Sequence, residues 1–182
     1  LPPLTNKEGV IVNAVYGFTT VLLKAIREFK PDYLALTLDM AGPTFRHQEY
    51  KEYKATRVKA PDELYKQIPR VKEVAAAFNI PIYEKTGFEA DDLIGTITKK
   101  VDSRLEKIIL TGDLDTLQLV DDDTKVYTMS HGLSDSVTYD EKAVRERFGL
   151  APEQMIDYKA LRGDPSDNIP GVRGIGEKTA TE

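Results

Sequence analysis

Short apolar runs of strand length alternate along this chain with segments of helical period. A chain built in this way is predicted to fold as α/β, with a mostly parallel sheet flanked by helices. Residues 33–38 form one run, which ends directly at Asp39. Residues 107–111 form a stronger one, which ends just before Gly112-Asp113. Residues 80–83 read as a third strand, and 126–129 with 136–138 as two more around a turn at Gly132. Residues 1–12 read as a loop, after which Asn13 is placed to cap a helix carrying Val15, Phe18, Leu22, Ala25, Ile26 and Phe29. Pro31-Asp32 closes it. Pro61, followed by Asp62 and Glu63, opens a helix carrying Leu64, Ile68, Val71, Val74, Ala75 and Phe78. Further helices are expected at 46–57, 89–101, 140–148 (closed by Gly149) and 152–162 (opened by Pro152).

The acidic residues fall where such a sheet would gather function, at the carboxyl ends of strands. Asp39 follows one strand, and Asp113 and Asp115 follow another. In an extended segment, positions i and i+2 face the same way, so the latter two can share a cation. Asp164 and Asp167 flank Pro165-Ser166 in a turn, and Glu89, Asp91 and Asp92 open a helix. Each group alone has an ordinary explanation, in helix-dipole pairing or in turn chemistry. Together they would repel one another unless a cation bridges them. The ligand set is all oxygen, with no cysteine and only His47 and His131, which suits Mg²⁺ or Mn²⁺ rather than Zn²⁺. Two such ions roughly 3.5–4 Å apart are a known device for cleaving phosphodiesters. The run Asp121-Asp122-Asp123 reads as solvated surface instead.

Charge permits a nucleic-acid partner despite a net −5. With eight of the 30 acids neutralised by cations, 22 face 25 Lys+Arg, an excess of about +3 for a phosphate-binding surface. If 46–57 is helical, Arg46, Tyr50, Tyr53, Lys54 and Arg57 share one stripe, cations beside rings, as single-stranded or frayed nucleic acid requires. Gly171, Gly174 and Gly176 precede another helix start beside Arg173 and Lys178, where backbone amides can approach a phosphate. No apolar run approaches the roughly 20 residues needed to cross a bilayer, and no secretory signal opens the chain. The absence of cysteine excludes disulfides and fits a reducing compartment.

Several stretches, read in order, carry a resemblance: 1–6 (LPPLTN), 13–18 (NAVYGF), 43–47 (PTFRH), 53–57 (YKATR), 87–92 (GFEADD), 111–115 (TGDLD), 163–172 (GDPSDNIPGV) and 174–180 (GIGEKTA). The chain resembles the 5′-nuclease domain that precedes the polymerase domain in bacterial DNA polymerases of type I, within the flap endonuclease family. The resemblance implies an α/β nuclease core over 1–151, with a helical arch at about 43–60. It implies the start of a helix-hairpin-helix part over 152–182, which grips duplex DNA through a monovalent cation such as K⁺. It implies that Asp39, Glu89, Asp91, Asp113, Asp115, Asp164 and Asp167 are metal-site carboxylates with Asp92 beside them. Lys54 and Arg57 then match basic arch residues over the scissile phosphate. The implied protein is a bacterial cytoplasmic monomer with two divalent ions, cutting 5′ flaps, RNA primers and nicked or branched duplexes in replication and repair. The family opens with an apolar strand ending in Asp, upstream of the Leu-Pro-Pro segment. On that comparison the sequence reads as a fragment that begins after this strand and stops inside a helix at Glu182, with cleavage weaker than its parent's.

Two other readings compete. An aspartyl phosphatase needs Asp-x-Asp-x-Thr, but Thr116 follows Asp115 directly. A non-catalytic DNA-binding module would keep the basic segment and the glycines but has no use for eight grouped carboxylates.

Overall fold

The computed structural model describes residues 4–131 and 135–182. In chain order the elements are α1 (Asn13–Phe29), β1 (Leu36–Thr37), α2 (Phe45–Glu49), α3 (Asp62–Tyr65), α4 (Ile68–Ala77), β2 (Ile82–Tyr83), α5 (Ala90–Lys100), β3 (Lys107–Leu110), β4 (Thr124–His131), β5 (Asp135–Tyr139), α6 (Glu141–Phe148), α7 (Met155–Arg162) and α8 (Glu177–Thr181). The turn expected at Gly132 and the first three residues of the expected N-terminal loop lie outside the described residues. The chain divides into two compact units, Leu1–Leu38 with Val58–Glu84, and Asp39–Arg57 with Lys85–Glu182.

In the first unit β1 pairs in parallel with β2, Leu36 opposite Ile82. The apolar stripe of α1 supplies Phe18, Leu22 and Ile26 to a small core with Val74 and Ala75 of α4, Ile80 and the strand residues Leu36 and Ile82. Asn13 is not the cap expected of it. Val12 holds that position, Asn13 is the first helical residue, and its Oδ1 accepts from the Leu4 amide at 3.1 Å. The α1 amides are served from elsewhere, the Ala14 N–H donating to Gln67 Oε1 at 2.9 Å. The single helix expected from Pro61 is two, α3 and α4. Pro69 has no N–H to continue the ladder of α3, but it fits the first turn of a new helix, where none is needed.

In the second unit β3 pairs in parallel with β4, and β4 runs antiparallel to β5. Among the described residues two of the three strand pairings are therefore parallel, as expected, and they lie in two sheets. Leu117, Val126 and Val144 are fully buried, with Ile109, Tyr139, Met155 and Tyr158 around them. Each such apolar side chain contributes about 1.5–3 kcal/mol. Asp140 Oδ1 caps α6 by accepting from Ala143 N at 2.8 Å, and Gly149 closes it at φ 70°. The expected 152–162 helix begins as a 3₁₀ turn, Pro152–Gln154, and continues as α7. Among the described residues no helix is long and apolar enough to cross a membrane.

Candidate metal centre

All four acidic groups belong to the second unit. Asp39, two residues past β1, accepts from the Ala90 N–H at 2.6 Å, which ties it to the free amides at the start of α5. Glu89 is the N-cap of that helix, and Asp91 and Asp92 lie in its first turn. Asp113 caps a 3₁₀ turn, Leu114–Leu119, its Oδ1 accepting from Asp115 N at 2.9 Å. The extended geometry expected for 113–115 is thus replaced by a cap and a first-turn residue.

Asp164 is held by a tight turn. Its N–H and that of Ile169 donate across the turn at 2.8 Å each, and Ser166 donates to Asp164 Oδ1 through N at 2.9 Å and Oγ at 2.6 Å. Gly163, at φ 83°, closes the turn: a Cβ there would lie 2.6 Å from the Ile169 carbonyl oxygen, so the backbone requires glycine.

Electrostatics place these groups together. Burial pushes the Asp91 carboxyl up, and the charges of Asp113, Asp39 and Glu89 push it further, to about 6. Burial likewise raises Asp115, with Asp113 and Asp164 adding to it against Lys159. Single oxygens of Asp115, Asp164 and Asp167 all lie within 4.8 Å of one another. Asp167 Oδ1 is buried and receives no hydrogen bond, although Arg57 Nη2 stands 3.1 Å away as an ion pair. A buried carboxylate oxygen with no donor, in an all-oxygen set, fits a hard divalent cation.

The raised Asp91 value has a stability consequence. The folded state holds this proton above the ordinary aspartate range, near 3.9. Stability from Asp91 is therefore full below about pH 4 and is lost as pH rises through about 6. In the presence of chelator, Asp91→Asn is expected to raise Tm over the parent by a few degrees, roughly, above pH 6. Below pH 4 the two should melt alike. Parallel Tm–pH curves would show that Asp91 is not pushed up by its neighbours.

The basic segment approaches the carboxylates by a different backbone from the one expected. Residues 46–57 are not one helix: α2 ends at Glu49, Tyr50 is extended at φ −135°, and Lys54 is left-handed at φ 56°. The 163–171 turn competes for its backbone groups. Lys54 N donates to the Asp167 carbonyl at 2.9 Å, Asn168 Nδ2 to the Glu52 carbonyl at 2.7 Å, and the Tyr50 hydroxyl to the Asn168 carbonyl at 3.3 Å. The shared stripe therefore does not exist, yet Lys54 still reaches the site. Its Nζ lies 2.9 Å from Glu89 Oε2 and 3.8 Å from Asp167 Oδ2. Burial would raise Glu89, but Lys54, Tyr53 and Arg46 hold it below its ordinary value.

Tyr53 is 7% exposed. Its hydroxyl donates toward Glu89 at 3.2 Å and Asp167 at 3.1 Å, so its ring is not presented for stacking on a base as expected. Arg46 and Asp92 engage each other through two 2.8 Å hydrogen bonds, and Asp92 Oδ2 also accepts from Glu89 N at 2.8 Å. Both oxygens of Asp92 are taken up in orienting α2 and the start of α5, and the Arg46 guanidinium is engaged with them. Tyr50 stays partly exposed. In the glycine segment Gly174 is left-handed at φ 87°, Gly176 is the N-cap of α8, Gly171 closes on Gly163, and Arg173 and Lys178 are exposed.

One cation at the centre escaped the sequence reading. Lys159 of α7 pairs with Asp115 Oδ1 and, at 2.6 Å, with Asp164 Oδ2. Burial would raise Asp164, but Lys159 and Ser166 outweigh it and bring this carboxyl down to about 2. The available signal was a lysine five residues before Asp164, in the last turn of a helix leading into the acidic turn.

The N-terminal resolvase-like domain of 5′-3′ exonuclease matches residues 1–149, and the C-terminal SAM fold of 5′-3′ exonuclease matches 150–182. An α/β unit with grouped carboxylates beside lysine and arginine is the architecture of a nuclease, and the chain belongs to the 5′-3′ exonuclease family. It is 48% identical to DNA polymerase I of Caldicellulosiruptor bescii over 99% of this chain and 22% of the polymerase. It is 50% identical to that of Chloroflexus aurantiacus, over 97% and 19%. The chain thus spans about a fifth of the length of these relatives. In fold it is similar to the T5 D15 protein co-crystallised with metal ions, at TM-score 0.77 and 23% identity, covering 93% of this chain and 66% of that one. The catalytic core of Rad2 in complex with DNA substrate has TM-score 0.59 at 21% identity, covering 97% and 54%.

Proposed function

We propose that this chain is a divalent-metal-dependent 5′–3′ exonuclease and flap endonuclease domain. It hydrolyses DNA phosphodiesters in replication and repair, within a bacterial, cytoplasmic DNA polymerase I. The observation that carries this reading is the gathering, in one unit, of Asp39, Glu89, Asp91, Asp113, Asp115, Asp164 and Asp167 from four separate segments, with Lys54 and Arg57 among them. The polymerases that share about half its residues, and structural relatives crystallised with metal ions or DNA, support the same reading.

Two ions, Mg²⁺ or Mn²⁺, would be shared between these carboxylates, one toward Asp39, Asp91 and Asp113 and one toward Asp115, Asp164 and Asp167. Such ions supply an acidified water and charge stabilisation on the phosphodiester oxygens. The protein's own groups do the rest. Lys54 and Arg57 neutralise charge that builds on the phosphoryl oxygens of the scissile group. Tyr53 holds Glu89 and Asp167 at fixed spacing. Residues 171–180, with exposed Arg173 and Lys178, bind the duplex backbone, with K⁺ at the glycine turn. The substrate is a 5′ flap, nick or branch, the protein acts as a monomer, and binding weakens with salt as phosphates are neutralised.

The test compares Mg²⁺-dependent cleavage of a 5′-flap DNA with hydrolysis of a small phosphomonoester. The expected result is flap cleavage that chelator abolishes and no phosphomonoester turnover. DNA binding without cleavage at any divalent concentration would replace this reading with a non-catalytic DNA-binding module.

A further inference from the structure

The cations around the carboxylates are unevenly placed. Lys159 holds Asp115 and Asp164, and Arg57 and Lys54 lie against Asp167. These are the three residues whose oxygens approach within 4.8 Å of one another. Among the described residues no lysine or arginine forms an ion pair with Asp39, Asp91 or Asp113, and Lys54 is bonded to Glu89 at 2.9 Å instead. One half of the centre is thus neutralised from within the protein, and the other half is not.

We propose that Lys159 is a built-in competitor for one of the two divalent cations: its ammonium holds the Asp115 and Asp164 carboxylates and must be displaced before a cation can take them. This rests on the two-cation reading above. The competition is direct, because the ammonium uses Asp164 Oδ2 at 2.6 Å and an Asp115 oxygen. A divalent ion drawing on those atoms would lie within about 4 Å of Nζ, where repulsion between charges in a partly desolvated site is strong. Lys159 is also able to leave. It is one flexible side chain on α7, about a third exposed, and its stem has no role in closing the Asp164 turn, which Ser166 and Ile169 maintain. Lys54 is a poorer competitor, since it stands 3.8 Å from Asp167 and bonds to Glu89 instead. The two cation positions should therefore differ in affinity without DNA, the one at Asp39, Asp91 and Asp113 being tight and the one at Asp115, Asp164 and Asp167 weak.

The experiment is calorimetric titration of Mn²⁺ into chelator-stripped protein, without DNA, for the parent, Lys159→Met and Lys159→Arg. Lys159→Met removes the charge and keeps most of the stem, while Lys159→Arg keeps the charge in a fork suited to two carboxylates. The parent is expected to show one tight and one weak site. Lys159→Met should tighten the weak site about tenfold, the scale of a partly screened charge pair, and leave the tight one unchanged. Lys159→Arg should leave the weak site weak. Thermal melting gives a second readout: Lys159→Met should have a lower Tm than the parent in chelator and a larger gain of Tm on adding Mn²⁺. Equal affinities in the parent, or a weak site that Lys159→Met fails to tighten, would overturn the proposal while leaving the metal reading intact. No Mn²⁺ binding by any of the three proteins would overturn both.

Discussion

Replacing Asp113 with alanine is expected to weaken binding of the first divalent cation by on the order of 100-fold or more, since even groups that only orient a metal's ligands cost 10–100-fold when removed. Asp113 lies three residues past β3, and its charge helps to raise the Asp91 carboxyl. The alanine variant also loses the cap on Asp115 N, which costs about 1 kcal/mol of local stability. Asp113→Asn separates the two effects, because an amide oxygen still caps the turn but brings no charge to a cation. Both variants should lose affinity, and only the alanine should lose stability in chelator. Asp122→Ala, on an exposed loop residue of the same type, should bind as the parent does. If Asp122→Ala and Asp113→Ala weaken Mn²⁺ binding equally, the acidity of the chain and not this constellation attracts the ion.

The second large effect is expected at Lys54. Lys54→Ala should slow flap cleavage on the order of 100- to 1,000-fold, as when one group that stabilises transition-state charge is removed from a pre-organised site. Affinity for Mn²⁺ should stay within a few-fold, because Glu89 keeps the Tyr53 hydroxyl and the ligand backbone is untouched. The left-handed backbone at position 54 is strained alike for lysine and alanine, so the substitution tests the ammonium. Single-turnover cleavage at saturating Mg²⁺ is the measurement. A rate unchanged from the parent would make Lys54 a structural counter-ion of Glu89 and Asp167.

The strand residues and the four acidic groups were legible because they are local. The run 107–110 is apolar and β-rich whatever surrounds it, and β3 forms there. The aspartates of 163–167 sit in a segment whose glycine and proline permit little besides a turn. Where the reading failed, a partner distant in sequence decided the outcome. Residues 46–57 have a helical pattern, but Asn168 and Asp167, more than a hundred residues on, take the backbone of Glu52 and Lys54 and bend the segment. The same pairing buries Tyr53, which by composition looked free to stack. Arg46 was assigned to nucleic acid and Asp92 to the edge of the metal centre, and only the fold shows that they pair with each other. Lys159 was overlooked for a related reason: its place five residues before Asp164 is a weak signal. Little else near it in sequence separates it from any lysine in the last turn of a helix, and its importance lies in an Asp115 side chain 44 positions away in the chain.

The most direct test of the account is a crystal of this domain soaked in Mn²⁺ and measured at the manganese edge. Two anomalous peaks are expected, about 3.5–4 Å apart. One should lie among Asp39, Asp91 and Asp113, and the other, filling only at higher Mn²⁺, between Asp115, Asp164 and Asp167 with Lys159 turned away. Peaks confined to other surfaces, or none at a concentration that supports flap cleavage, would contradict the assignment of these carboxylates as the metal centre.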